Sequence, residues 1–145
     1  IGFLPGTEAE KMEPWLGAIT DNLEALHQDD ESTHGSIDYI LQKVPLQFKS
    51  LNYIRGRSFQ KSLIIIDESQ NLTPHQMKTI ITRAGQGSKV VCLGNLAQID
   101  TPYLNATSSG LAYLNERFKG FEHGGSIELQ SVPRSILAEY AESHL

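Results

Sequence analysis

Asp67 and Glu68 are adjacent carboxylates that directly follow four aliphatic residues, Leu63, Ile64, Ile65 and Ile66. A run that is apolar on both faces fits a central parallel strand covered by helices on each side. In open α/β sheets ligands gather at the carboxyl ends of the strands, which is where these two acids would project. A pair of acids in that place suits hydrolysis of a nucleoside triphosphate. One carboxylate can hold Mg²⁺, usually through the water shell of the ion. The next can orient and deprotonate the attacking water. A second polar group follows in Gly94, Asn95, Gln98 and Asp100. A glutamine just beyond a strand tip can hydrogen-bond a terminal phosphate or the attacking water, contributing position rather than acidity.

These groups act together only if two strands deliver them to one crevice. Lys61 to Asp67 and Lys89 to Gly94 both read as buried strands, and Gly94 would let the second turn sharply at its tip. Between them Thr73, Pro74 and Gln76 form a strong helix start: a cap, a proline at the first helical position and a capping box. Met77, Ile80, Ile81 and Ala84 give that helix its apolar face, and Gly85 is the expected stop. Glu8 to His27 is mostly helical in pattern, with Pro14 expected to kink or restart it. Gln28 to Gly35, which holds Asp29, Asp30 and Glu31, reads as a solvated loop. A short helix is expected from Ile37 to Val44, and a weak strand from Gln47 to Ile54. Arg55, Gly56, Arg57 and Ser58 form a basic turn. Asn95 to Asn105 is a loop, Gly110 to Phe118 a helix, Ser126 to Gln130 a third strand, and Ser135 to His144 a last helix. Strands alternating with helices imply an α/β layered fold with a parallel sheet.

The chain has 145 residues, enough for one domain with a core. Its net charge of −5 argues against a protein that coats nucleic acid with its whole surface, while leaving room for a local basic strip. Arg55 and Arg57 are the candidates for such a strip; the alternative is a solvated turn beside Lys61. No apolar run approaches the roughly 20 residues of a membrane span. The single cysteine, Cys92, lies inside a strand pattern and reads as an inert thiol. It forms no internal disulfide, which fits a reducing, cytoplasmic setting. The five histidines show no metal-binding spacing with Cys92 or with each other. Trp15 and Tyr53 read as packing residues rather than stacking platforms. The first residue is Ile1, so a piece of a longer protein is expected.

The stretch Leu63 to Gln70 is similar to a Walker B motif, and Asp67-Glu68-Ser69-Gln70 resembles the Asp-Glu-x-Gln box of superfamily 1 helicases. Gly2 to Gly6, Tyr53 to Ser58, Ile64 to Gly85 and Gly94 to Asp100, in this order, closely resemble the PhoH family of P-loop ATPases. Tyr53 to Ser58 and the pair Arg134 and Ser135 look most like the branch whose members often carry an amino-terminal PIN ribonuclease domain. The resemblance implies a three-layer α/β/α sandwich of the RecA or helicase-like kind, with ATP and Mg²⁺ as ligands. It implies that Asp67 is the Mg²⁺-linked acid, Glu68 the catalytic acid and Gln70 the link between nucleotide and neighbouring motifs. Gln98 would be the sensor glutamine, beside Asn95 at the nucleotide. Arg134 would sense phosphate or bridge subunits; a surface ion pair is the alternative. The branch further implies ATP-dependent work on RNA and a homo-oligomeric ring.

Three departures stand out. Asn95 replaces the usual Asp after the sensor glycine, keeping hydrogen bonding and losing a charge. Ser69 replaces the commoner Ala. No Gly-x-x-x-x-Gly-Lys-[Ser/Thr] loop occurs in these residues; in the family it lies upstream of Gly2. The phosphate cradle and its strand would then be missing, the sheet left with a gap, an open edge or a partner filling it, and these residues alone inactive. A nucleotide-regulated binding module with negligible turnover is the rival reading of the intact protein, and a purely structural fragment is the rival for these residues as they stand.

Overall fold

The computed structural model describes residues 8–27, 42, 46–51, 54 and 56–145. The chain divides into two compact units, Ile1–Phe59 and Gln60–Leu145. In the first, helix α1 (Glu8–His27) runs unbroken through Pro14. The proline therefore does not restart the helix, although its missing N–H removes one backbone hydrogen bond. Thr20 is half-buried, its hydroxyl donating back to the carbonyls of Leu16 and Gly17. The strand expected over Gln47 to Ile54 is not present in residues 46–51 and 54. Phe48, Leu51 and Ile54 recur at three-residue steps, which is not the two-residue alternation of a strand. The basic turn does form: the Arg57 N–H donates to the Ile54 carbonyl at 3.3 Å, and Gly56 takes a φ of 76°. Arg55 and Tyr53, the loop from Gln28 and the helix expected from Ile37 to Val44 lie outside the described residues, Gln42 excepted.

The second unit is built on two parallel strands. β1 (Leu63–Ile66) pairs with β2 (Lys89–Cys92), with Leu63 opposite Lys89 and Ile66 opposite Cys92. This register makes the two strands end at the same level. A 3₁₀ turn (Ser69–Asn71) and helix α2 (Pro74–Ile81) connect them. The expected capping box is complete: the Gln76 N–H donates to Thr73 Oγ1 at 3.1 Å, and the Thr73 N–H donates to Gln76 Oε1 at 3.0 Å. The helix stops at Ile81, ahead of Gly85: beyond it the chain tightens, the Arg83 and Ala84 N–H groups donating to carbonyls three residues back, those of Ile80 and Ile81. Met77 and Ile80 form its buried stripe, and Met77 Sδ lies 3.9 Å from Cys92 Sγ on β2.

Helix α3 (Gly110–Arg117) packs against α2 and against the 3₁₀ turn. Helix α4 (Ile136–His144) has the expected start at Ser135 but buries none of its residues. Two strand expectations are corrected here. Ser126 to Gln130 is irregular and exposed, because no strand among the described residues pairs with it. β1 is not covered on both faces: Leu63 and Ile65 are 64% and 59% exposed while Ile66 is buried. The result is an α/β unit with a two-stranded parallel sheet. Its core gathers Ile66, Leu72, Met77, Ile80 and Leu111 around three buried polar residues, Ser69, Gln70 and Ser109. No helix among the described residues is long and apolar enough to cross a membrane.

Candidate functional site

The acids of β1 stand where the strand stops pairing. Asp67 is exposed, and its Oδ1 accepts the Glu68 N–H at 2.9 Å. Glu68 then takes φ 51° and ψ 36°, the left-handed region that an unbranched non-glycine residue enters at a cost of about 1 kcal/mol. This turn throws the Glu68 carboxylate out of the alternation of the strand and starts the 3₁₀ turn. The Ser69 N–H and hydroxyl both donate to the Leu93 carbonyl, at 2.9 and 2.8 Å. The Leu93 N–H in turn donates to the Ile66 carbonyl at 2.8 Å. The parallel ladder is thus carried past the ends of both strands, into the residues that could do chemistry.

Gln70 joins the two tips. Its side chain is fully buried. Nε2 donates to Glu68 Oε2 at 2.5 Å and to the Gln98 carbonyl at 3.1 Å, and Oε1 accepts the Asn95 N–H at 3.2 Å. One amide therefore touches Glu68 and both ends of the turn Asn95 to Gln98. A carboxamide is the side chain that can donate twice and accept at the same place. Asn71 adds a second link, its Oδ1 accepting the Asp100 N–H at 2.8 Å and its carbonyl accepting the Thr101 hydroxyl at 3.1 Å.

Gly94 has a different reason from the one expected. Its φ is not positive; what matters is space. A Cβ there would lie 2.7 Å from Gln70 Oε1, 2.8 Å from Leu111 and 3.0 Å from Ser69 Oγ. Asn95 uses its side-chain oxygen within its own loop, accepting the Ala97 N–H at 2.9 Å. Asp would do the same, so the replacement is neutral for the turn. The Gln98 side chain is exposed beside this network. Arg134 is not drawn into it; its guanidinium pairs with Glu142 at 3.3 Å on the surface. Arg57 is exposed on its turn. Burial pushes the Cys92 thiol up, in keeping with an unreactive sulfur.

Ser109 was not singled out by the sequence. It is fully buried, donates to the Gln70 carbonyl at 2.8 Å and accepts the Leu111 N–H at 3.2 Å. Ser before Gly-Leu-Ala marks a helix cap, but nothing local in the chain points to a partner 39 positions away. A concavity of about 220 Å³ between α2 and α3 is lined by Met77, Ile81, Tyr113, Leu114 and Phe118. It does not include the acids, which face an open surface.

Among the described residues no group of three or more His, Cys, Asp or Glu could hold a metal. Mg²⁺ does not call for such a group, since it keeps several waters and takes one or two carboxylates along with substrate phosphates. Exposed Asp67 has the oxygen chemistry for such a contact.

The unit is thus an α/β protein whose polar groups converge at the carboxyl ends of adjacent parallel strands, the place where this class binds its ligands. Comparison with known proteins gives the family. The family described as PhoH-like protein matches residues 1–141. The chain is 49% identical to protein PhoH2 of Bacillus subtilis over 142 residues, covering 97% of this chain and 32% of that protein. It is 36% identical to a PhoH-like protein of the same organism, covering 99% of this chain and 44% of the relative. Protein PhoH2 of Mycolicibacterium smegmatis is 36% identical over 95% of this chain and 30% of its own length. The chain belongs to the PhoH-like family, a family of P-loop NTPases that generally bind ATP. It spans less than half the length of these three relatives.

Proposed function

We propose that this chain supplies the hydrolytic half of an ATP site, with Glu68 as the base and Asp67 as the acid that would hold Mg²⁺. Bound Mg²⁺ would neutralise charge on the nucleotide phosphates. The observation that carries the reading is the Gln70 amide, which ties the Glu68 carboxylate to the loop that bears Gln98. Gln70 occupies Glu68 Oε2, so Oε1 is left to accept the proton of the attacking water. Gln98 extends from a loop whose backbone is bonded to that same amide, so a change at its side chain is felt at Glu68. Asn95 supports the loop by its turn and, beside Gln98, stands as a nucleotide contact. The left-handed turn at Glu68 supports the same reading, since such strain persists where the surroundings hold it for a purpose.

Steady-state phosphate release by the full-length protein tests this. Glu68→Gln keeps the shape and removes the base, and kcat falls at least about 10²-fold, the lower end of general-base contributions, with ATP binding retained. Wild-type kcat in this variant removes Glu68 from the mechanism. Near-zero turnover in the wild type itself favours the nucleotide-regulated binding module.

The same reading extends to RNA as the object of the work, with subunits in a ring and a PIN domain upstream. Arg57 is its local support, an exposed guanidinium on a turn that fits phosphate pairing without base readout. Arg55 belongs to the same turn in sequence. Removing one phosphate contact flattens the log–log salt slope of single-strand RNA affinity by about 0.7. An unchanged slope in Arg57→Ala withdraws the RNA contact.

A further inference from the structure

Ser109 ties helix α3 to the turn that carries the acid pair, at a point where no solvent reaches. Its single donor is committed to the Gln70 carbonyl at 2.8 Å, while its oxygen accepts the Leu111 N–H at 3.2 Å. The neighbouring Gly110 N–H donates to the Leu72 carbonyl at 2.6 Å. A Cβ on Gly110 would lie 2.7 Å from the Thr73 carbonyl oxygen and 2.8 Å from that of Leu72. The start of α3 is therefore pressed against the backbone of Leu72 and Thr73, just after Gln70. The Gln70 amide in turn holds Glu68 Oε2, the Gln98 carbonyl and the Asn95 N–H. The Gln70 peptide is clamped between these two sets of bonds.

We propose that Ser109 is a positioning residue for hydrolysis: its hydroxyl fixes the Gln70 peptide, and Gln70 fixes the Glu68 carboxylate. The inference rests on the reading of Glu68 as the base. Without the hydroxyl, the buried Gln70 carbonyl loses its partner and the peptide turns to find another. The amide then leaves Glu68, and the carboxylate no longer points one oxygen at the water. Asp67 is untouched, and the groups the amide holds, Glu68 and the loop of Gln98, act at the attacking water, so the defect falls on the chemical step and not on binding.

The test is a double-mutant cycle in the full-length protein, reading ATP turnover. Misplacing a reacting group by about 1 Å costs up to about 10²-fold, and for Ser109→Ala we expect kcat to fall about tenfold with KM for ATP within about twofold of wild type. Ser109→Thr keeps the hydroxyl and stays within about threefold of wild-type kcat. With Glu68→Gln already in place, Ser109→Ala causes no further fall, because the group it positions is gone. Wild-type kcat in Ser109→Ala, a loss confined to KM, an equal loss in Ser109→Thr, or losses that multiply in the double variant each overturn the proposal. Wild-type kcat in Glu68→Gln alone is a separate failure, that of the base. Should Ser109→Ala not fold, Ser109→Cys, whose thiol is a weak donor, is judged by the same criteria.

Discussion

The residues from Ser62 to Arg117 and those from Phe118 onward are held by different kinds of contact. In the first stretch the bonds reach far along the chain: Ser69 to Leu93, Asn71 to Asp100, Leu72 to Gly110, and Gln70 to Ser109. In the second they stay close. Phe118 meets Phe121 edge to face, Lys119 pairs with Glu116, Tyr140 stacks on His144, and Arg134 pairs with Glu142. The far-reaching bonds of Ser69 and Gln70 are buried or partly so, that of Asn71 is exposed, and all close long loops, so each depends on the others being in place. The local bonds are exposed and contribute little individually. The lesson is that this unit is organised by polar groups in its core, gathered around the acid turn, as much as by its short apolar stripe.

Substitutions can break or sharpen this contrast, and urea unfolding of the chain measures each. Gly110→Ala has the largest expected effect. The new methyl meets two backbone carbonyls that cannot swing aside, and about 3 kcal/mol is lost, the upper part of the range for overpacking. A loss below about 1 kcal/mol would mean that α3 moves freely over the acid turn. Thr73→Ala removes one half of the capping box at the start of α2 and costs about 1 kcal/mol. Leu129→Ser is expected to change stability by no more than about 0.5 kcal/mol, since Leu129 is 78% exposed. A loss of 1 kcal/mol or more there, on the scale of a cap, would show that the last segment is tied to the rest after all.

The same contrast explains what the sequence could disclose. The start of α2 was legible because Thr73, Pro74 and Gln76 act on each other within one turn. The two strands were legible as short apolar runs, and the convergence of Asp67, Glu68 and the Gln98 loop followed from placing those runs side by side. Ser126 to Gln130 carries a strand pattern as well, but a strand needs a neighbour, and pattern alone does not supply one. Gly94 was the right residue with the wrong reason, because the close approach of Gln70 is a fact of packing. Ser109 escaped notice for the same cause: its role depends on which carbonyl lies beside it. Gly85 reads as the stop of α2, but the bonds of Arg83 and Ala84 to carbonyls three residues back already tighten the chain ahead of it.

The left-handed backbone at Glu68 has a consequence for how the position can vary. A single base change in a glutamate codon reaches valine, alanine, glycine, aspartate, glutamine or lysine. Valine is branched at Cβ and is a genuine outlier at positive φ, so that path is closed by the backbone before chemistry is considered. Glycine adopts the conformation without steric cost but carries no carboxylate. Aspartate tolerates it and keeps the acid, one methylene short of the Gln70 amide. The turn therefore works as a filter on inheritance. The replacement the backbone accepts most readily deletes the acid, and the replacement that keeps the acid gives up its reach.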